Sequence, residues 1–244
     1  MDKAAFEKGY KEYLEKVVKD LGGRTPEKKR SLAELKKDHE KDPGNADAAA
    51  ALAEALLNRD RIQARQLAEK ALEIKKKHPK ASMVLARLAR LAGDVKQEKK
   101  LLEDALDRNN PDLQIADALG KLYYNAREYG KAAEVFELGR KADPTDTEWA
   151  SQLSRVYAQT GDKNRLIAVL KELIPTDADD LDRRKRLTRL LLEGREFAEA
   201  EKYARQCLEI DIRDADTREA LLKALREQKK DDEAKKMQAI FETK

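Results

Sequence analysis

The sequence predicts an all-α fold, an α-solenoid in which antiparallel helix pairs stack one against the next. Three observations carry this expectation. Of 244 residues, 41% are charged and 41% hydrophobic, yet only 5% are aromatic. A chain rich in Ala, Leu, Lys and Glu and poor in β-branched and aromatic residues favours helix over sheet. Gly and Pro number only 10 and 6, too few for a loop-dominated or disordered chain. Finally, one apolar pattern recurs every 34 residues, and a fixed period of this size marks a repeat architecture.

The pattern is clearest from Leu113 onward. With Leu113 as position 1, Leu119, Gly120 and Tyr123 fall at positions 7, 8 and 11, and Ala132, Phe136, Gly139 and Pro144 at 20, 24, 27 and 32. One period later stand Leu153, Ser154, Tyr157, Leu166, Leu170 and Leu173; then Leu187, Thr188, Leu191, Ala200, Ala204 and Cys207; then Leu221, Leu222, Leu225, Ala234 and Phe241. Going backwards gives Leu85, Ala86, Ala89, Leu102 and Ala105, then Leu52, Ala53, Leu56, Ala64, Ala68 and Ala71. The last unit needs a one-residue deletion and a second helix extended through Lys75, Lys76 and Lys77. Six units result: 46–78, 79–112, 113–146, 147–180, 181–214 and 215–244.

Each unit reads as two helices. Positions 7, 8 and 11 share one helical face, and 20, 24 and 27 form a stripe on a second helix. Small residues at 8, 20 and 27 allow close approach. Gly93-Asp94 and Gly161-Asp162 read as a helix stop followed by an N-cap. Asp42-Pro43, Asn110-Pro111 and Asp143-Pro144 read as an N-cap followed by an N1 proline. No unit can bury its apolar face alone, so the units must stack.

The Leu-Gly-x-x-Tyr, Ala-x-x-x-Phe and Asp-Pro elements at this period resemble tetratricopeptide repeats over roughly residues 42–244. That resemblance implies a right-handed superhelix whose first helices line a concave groove. The chain departs from the family at position 4, where Ala49, Ser82, Ala116, Ala150, Arg184 and Arg218 replace a large residue, with Trp149 one place early. Two units also lose the proline at position 32, to Ala178 and Ile212.

Residues 1–44 differ. Phe6, Tyr10, Leu14, Val17 and Leu21 make an amphipathic helix ended by Gly22-Gly23, and Thr25-Pro26-Glu27 caps a second helix running to about Lys41. The expectation is an N-terminal capping helix pair, with Leu32 and Leu35 against the first unit. The stripe of the first helix begins almost at Met1, which also fits the C-terminal part of a larger protein. It weakly resembles the junction where metallopeptidase-like domains of large bacterial proteins pass into such repeats, although their His-Glu-x-x-His helix is absent here.

Several functions are excluded or disfavoured. No apolar run of about 18 residues is present, so no membrane-spanning helix is expected. One cysteine cannot form an internal disulfide or a Cys-based zinc site, and His39 and His78 lack metal-ligand spacing. Gly120-Lys121 lacks the rest of a phosphate loop. The reading is therefore a non-enzyme without a cofactor, cytoplasmic by default, with the compartment left open if the chain is a fragment of an exported protein. Lys and Arg total 52 against 48 Asp and Glu, a net +4, small for a polyanion binder; few free aromatics further disfavour RNA. His39 and His78 are read as solvated, Cys207 as a buried thiol, Lys75–Lys77 and Lys229-Lys230 as helix-end charges, and Trp149, Tyr123, Tyr157 and Phe136 as core.

One column points to binding. Position 9 reads Glu54, Arg87, Lys121, Arg155, Arg189 and Lys223, on the face that the resemblance assigns to the groove. Asp117–Lys121, Arg189–Glu193 and Glu219–Lys223 are i,i+4 pairs that could satisfy one another. Arg87 and Arg155 have no such acid, which makes them the better candidates for an external carboxylate. With Tyr124 and Asn125 at positions 12 and 13, these residues make the candidate peptide-binding groove: Arg87, Lys121, Tyr124, Asn125, Arg155, Arg189 and Lys223. The expected partner is a protein or peptide of acidic character, not nucleic acid. The alternative is an accessory repeat region of a larger, metallopeptidase-like enzyme.

Overall fold

A computed structural model of the chain describes residues 3–20 and 30–242. These residues form fourteen α-helices and one 3-10 turn, with no strand among them. Helix α1 spans Lys3–Asp20 and α2 spans Leu32–Lys41. Six helix pairs follow: α3 (Ala46–Leu56) with α4 (Arg61–Ile74), α5 (Pro79–Leu91) with α6 (Val95–Ala105), and α7 (Leu113–Asn125) with α8 (Tyr129–Ala142). Then come α9 (Thr147–Thr160) with α10 (Lys163–Leu173), α11 (Leu181–Glu193) with α12 (Phe197–Ile210), and α13 (Ala215–Glu227) with α14 (Asp231–Glu242).

The turn inside each pair follows one rule. Gly93 and Gly161 adopt positive φ, at 77° and 72°, and end the first helix. Asp94 and Asp162 then cap the second by accepting from the Gln97 and Arg165 amides. The same left-handed site falls on Arg127, Arg195 and Lys229, at φ 60–62°, one period apart in turn. A side chain in this region costs energy that glycine avoids.

The turns between pairs correct one expectation. The Asp-Pro and Asn-Pro dipeptides do not start helices. The caps are Asn45, Asp112 and Asp146, which accept from amides two or three residues on. Asp42 and Asp143 instead end the preceding helices and accept from the Gly44 and Thr145 amides. Proline disfavours helical backbone in the residue before it, so the dipeptide terminates rather than initiates. Among the described α-helices, only Pro79 stands at the first turn, behind His78 as N-cap. Helix α4 stops at Ile74, where Lys75 turns to extended backbone as the C-cap, and Lys75–Lys77 lie beyond it rather than extending it.

Neither histidine is simply solvated. His78 is 3% exposed; its Nδ1 accepts from the Ala81 amide and its Nε2 lies 2.9 Å from Asp47. His39 is half-buried, with Nδ1 enclosed and unpartnered. Cys207 is fully buried, and burial raises its thiol pKa.

Packing runs from neighbour to neighbour. Each first helix lies against its own second helix, and each second helix against the next first helix. First helices also touch one another directly, as in α3–α5, α5–α7 and α11–α13, whereas second helices do not to a comparable degree. These contacts set the first helices side by side on one face of the stack, the face that the tetratricopeptide resemblance assigns to the inner groove. Small residues make the approach possible. A Cβ on Gly120 would meet the Phe136 ring at 2.4–2.8 Å, and one on Gly139 would meet Trp149 at 2.5–2.6 Å. Phe136 is fully buried and Trp149 is 4% exposed.

Where position 4 carries arginine, the guanidinium takes over loop closure. Arg184, 7% exposed, donates to the carbonyls of Ile174, Asp177 and Asp180. Arg218 donates to Ile212 and Phe241 carbonyls. These are the two loops that lack proline at position 32.

The N-terminal helices behave differently from each other. Ser31 and Glu34 form a reciprocal capping box that starts α2, and Leu32 and Leu35 pack into the first core cluster. The α1 stripe does not follow them inside: Phe6, Tyr10 and Leu14 are exposed. Its expected stop at Gly22-Gly23 and the Thr25-Pro26-Glu27 cap lie outside the described residues.

Candidate functional site

Two cavities open on the face of the first helices. One, of about 650 Å³, is walled by α5, α7 and α9, with Glu98 from α6. Arg87, Lys121 and Asn125 line it together, over apolar Met83, Leu113, Leu122 and Trp149. The other, of about 320 Å³, lies between α11 and α13. Arg189 and Lys223 line it with Lys185, Thr188 and Leu192. Arg155 is exposed on α9 and lines neither cavity. Tyr124 also lines neither; it is half-buried and packs edge-on against Tyr129, with ring centroids 5.5 Å apart. The seven residues are therefore divided between two cavities and two outlying positions.

Their ion pairing differs from the pattern read by counting four residues along a helix. Lys121 does bridge Asp117 at 2.8 Å. Glu193, however, bridges Lys163 at 2.8 Å, so Arg189 is left without it. Among the described residues, Lys223 and Glu219 make no ion pair. Arg87 has an acid after all, Glu54 at 3.9 Å on the preceding first helix. Glu54 occupies position 9 of its own unit, so consecutive members of that column are neighbours across the inner face. Among the described residues, Arg155, Arg189 and Lys223 have no acid within 4 Å.

The base of the smaller cavity is held rigidly. Lys185 bridges Asp214 at 2.6 Å and Asp216 at 3.1 Å. Burial works against the charge on Asp214, but hydrogen bonds from Lys185 and Thr217 outweigh it and hold the carboxyl below the usual carboxylate range. The nearby cations Arg189 and Lys223 thus face a surface whose acids already have partners or stand clear of them.

Two features of the larger cavity are absent from the basic column. Glu98 is 4% exposed and reaches only Arg90, at 3.8 Å. Burial raises its pKa, and Arg90 offsets only part of that. The signal was present in the sequence: position 20 reads Ala64, Glu98, Ala132, Leu166, Ala200 and Ala234. The second feature is Trp149 in the lining, with its Nε1–H enclosed and without an acceptor, which has no sequence signature. Among the described residues, no group of three or more His, Cys, Asp or Glu could hold a metal, and no helix is long and apolar enough to cross a membrane.

No protein-family model matches the chain. No curated protein matches either. Solved structures do. A crystal structure of YrrB, a TPR protein with an unusual peptide-binding site, superposes with a TM-score of 0.57 at 16% identity, over 82% of this chain and 100% of that one. The chain has the tetratricopeptide-repeat fold. The Naa15/Naa10 complex bound to HypK-THB shares it, with a TM-score of 0.53 at 20% identity over 87% of this chain and 33% of that one. In a tetratricopeptide-repeat stack, successive first helices are brought side by side, and this is how residues 34 apart in sequence, such as Arg189 and Lys223, reach one cavity.

Proposed function

We propose that the chain is a non-catalytic interaction scaffold that binds an extended peptide or partner segment along its inner face. Arg155, Arg189 and Lys223 would take acidic groups of that partner. The observation that carries the reading is the convergence of Arg189 and Lys223 on one cavity with no acid of their own. An exposed cation gains little from a solvated acid, but a guanidinium fork and an ammonium aimed at the same bound carboxylate act together. The peptide-binding site of YrrB, a protein of the same fold, supports this kind of use. Acids interleaved on the same face, Asp216 and Glu219, work against a nucleic-acid backbone.

The test is binding of a short fluorescent oligoglutamate by anisotropy. The wild type should bind in a salt-sensitive manner, and Arg155→Glu/Arg189→Glu/Lys223→Glu should lose about tenfold or more in affinity with an unchanged far-ultraviolet helical signal. Equal binding by the two proteins would discard these residues as a site.

One observation favours the second reading, an accessory repeat region of a larger enzyme. Phe6, Tyr10, Tyr13 and Leu14 are 41–62% exposed on one helix, an apolar surface that the stack leaves uncovered. Longer natural sequence carrying a catalytic domain upstream would support it.

A further inference from the structure

The larger cavity combines two features that a purely structural groove does not need. Glu98 replaces the small residue of its column and is held 4% exposed, with only the loose Arg90 contact at 3.8 Å. Arg90 is itself 63% exposed in its side chain, so this contact is easily exchanged. Around Glu98 lie Met83, Leu113, Leu122 and Trp149, a floor for aliphatic chain.

The charges of the lining decide what enters. Arg87 and Lys121 are already within 4 Å of Glu54 and Asp117. Glu98, Asp117, Asp146 and Glu148 outnumber Arg87, Arg90 and Lys121. A buried carboxylate with a weak partner gains most from a cation that arrives with its own apolar stem.

We infer that this cavity receives a lysine or arginine side chain of an extended peptide, the cationic head on Glu98 and the aliphatic stem on the apolar floor. This rests on the scaffold reading above and adds polarity to it. The basic part of the ligand lies over α5, α7 and α9, and its acidic part lies toward α11 and α13, where Arg189 and Lys223 are unpaired.

Selection from a displayed random-peptide library tests it, run in parallel on the wild type, Glu98→Gln and Glu98→Ala. Alanine is the residue at this position in four of the other units, so Glu98→Ala keeps the stack intact and separates binding from folding. Wild-type selections should enrich Lys or Arg beside an aliphatic residue, and both variants should lose that enrichment. Synthetic winners should shift the emission of Trp149, the only tryptophan, and bind the variants about tenfold more weakly. Enriched peptides lacking Lys and Arg, or binding unaffected by both variants, would overturn the inference while leaving the scaffold reading in place. Failure to enrich any peptide would overturn both.

Discussion

Tyr157 donates its hydroxyl to Glu137 of the preceding helix pair at 2.9 Å, and one unit earlier Tyr123 donates to Glu103 at 2.7 Å. Each ring also lies beneath a cation of its own unit, Arg165 at 5.7 Å and Lys131 at 5.4 Å. The arrangement repeats because its parts repeat: tyrosine at position 11, glutamate at position 25 and a base at position 19. Tyr157→Phe should destabilise the stack by about 1 kcal/mol in urea unfolding. Burial and the bond to Glu137 push the Tyr157 pKa from 10.0 up to about 12. The folded state holds this proton after the unfolded chain has released it. Its contribution is therefore complete below pH 10 and is lost as pH rises from 10 to about 12. Tyr157→Phe should flatten that part of the stability–pH curve.

The left-handed turn residues supply a second prediction. Arg127, Arg195 and Lys229 occupy the conformation that Gly93 and Gly161 adopt freely. Arg195→Gly should raise stability by about 0.5–1 kcal/mol, since relief of the left-handed strain exceeds the added freedom of the unfolded chain. Gly161→Arg is the converse and should lower it by about 1 kcal/mol. Thermal melts of the two variants provide the comparison.

Much of this architecture was legible because stacking imposes the period on side-chain volume and turn chemistry together. The fold class followed from Leu119, Gly120, Ala132 and Phe136 and their counterparts. Local rules failed where a partner came from another helix. Counting four residues along a helix assigned Glu193 to Arg189, whereas it lies nearer Lys163 of the preceding pair. The same count left Arg87 free, although Glu54 comes from the neighbouring first helix. His78 appeared solvated because one partner, Asp47, comes from α3, and the other is the Ala81 amide that it caps. The Glu98 departure could have been read from its column.

Arg184 shows a substitution of one closing device for another. Its guanidinium ties three carbonyls of the loop where Ala178 stands in place of proline. Arg184→Leu keeps the bulk but orphans those carbonyls, and should cost about 2–3 kcal/mol. Adding Ala178→Pro should recover part of that loss. Full stability in the single variant would show that water satisfies the loop.

Gly120 tests the packing directly. Gly120→Ala sets a methyl against the fully buried Phe136 ring and should cost about 1–3 kcal/mol. Phe136→Leu in the same chain should relieve part of the clash, because it removes the ring edge that the methyl meets. An unchanged melting temperature for Gly120→Ala would place the contact elsewhere.

Hydrogen–deuterium exchange, with and without a peptide selected on the wild-type protein, tests most directly the claim that partners bind inside the curve. Bound peptide should slow exchange in the first helices α5, α7, α9, α11 and α13 and leave the second helices unchanged. Slowing confined to α8, α10 and α12 would put the binding surface on the outside and contradict the account.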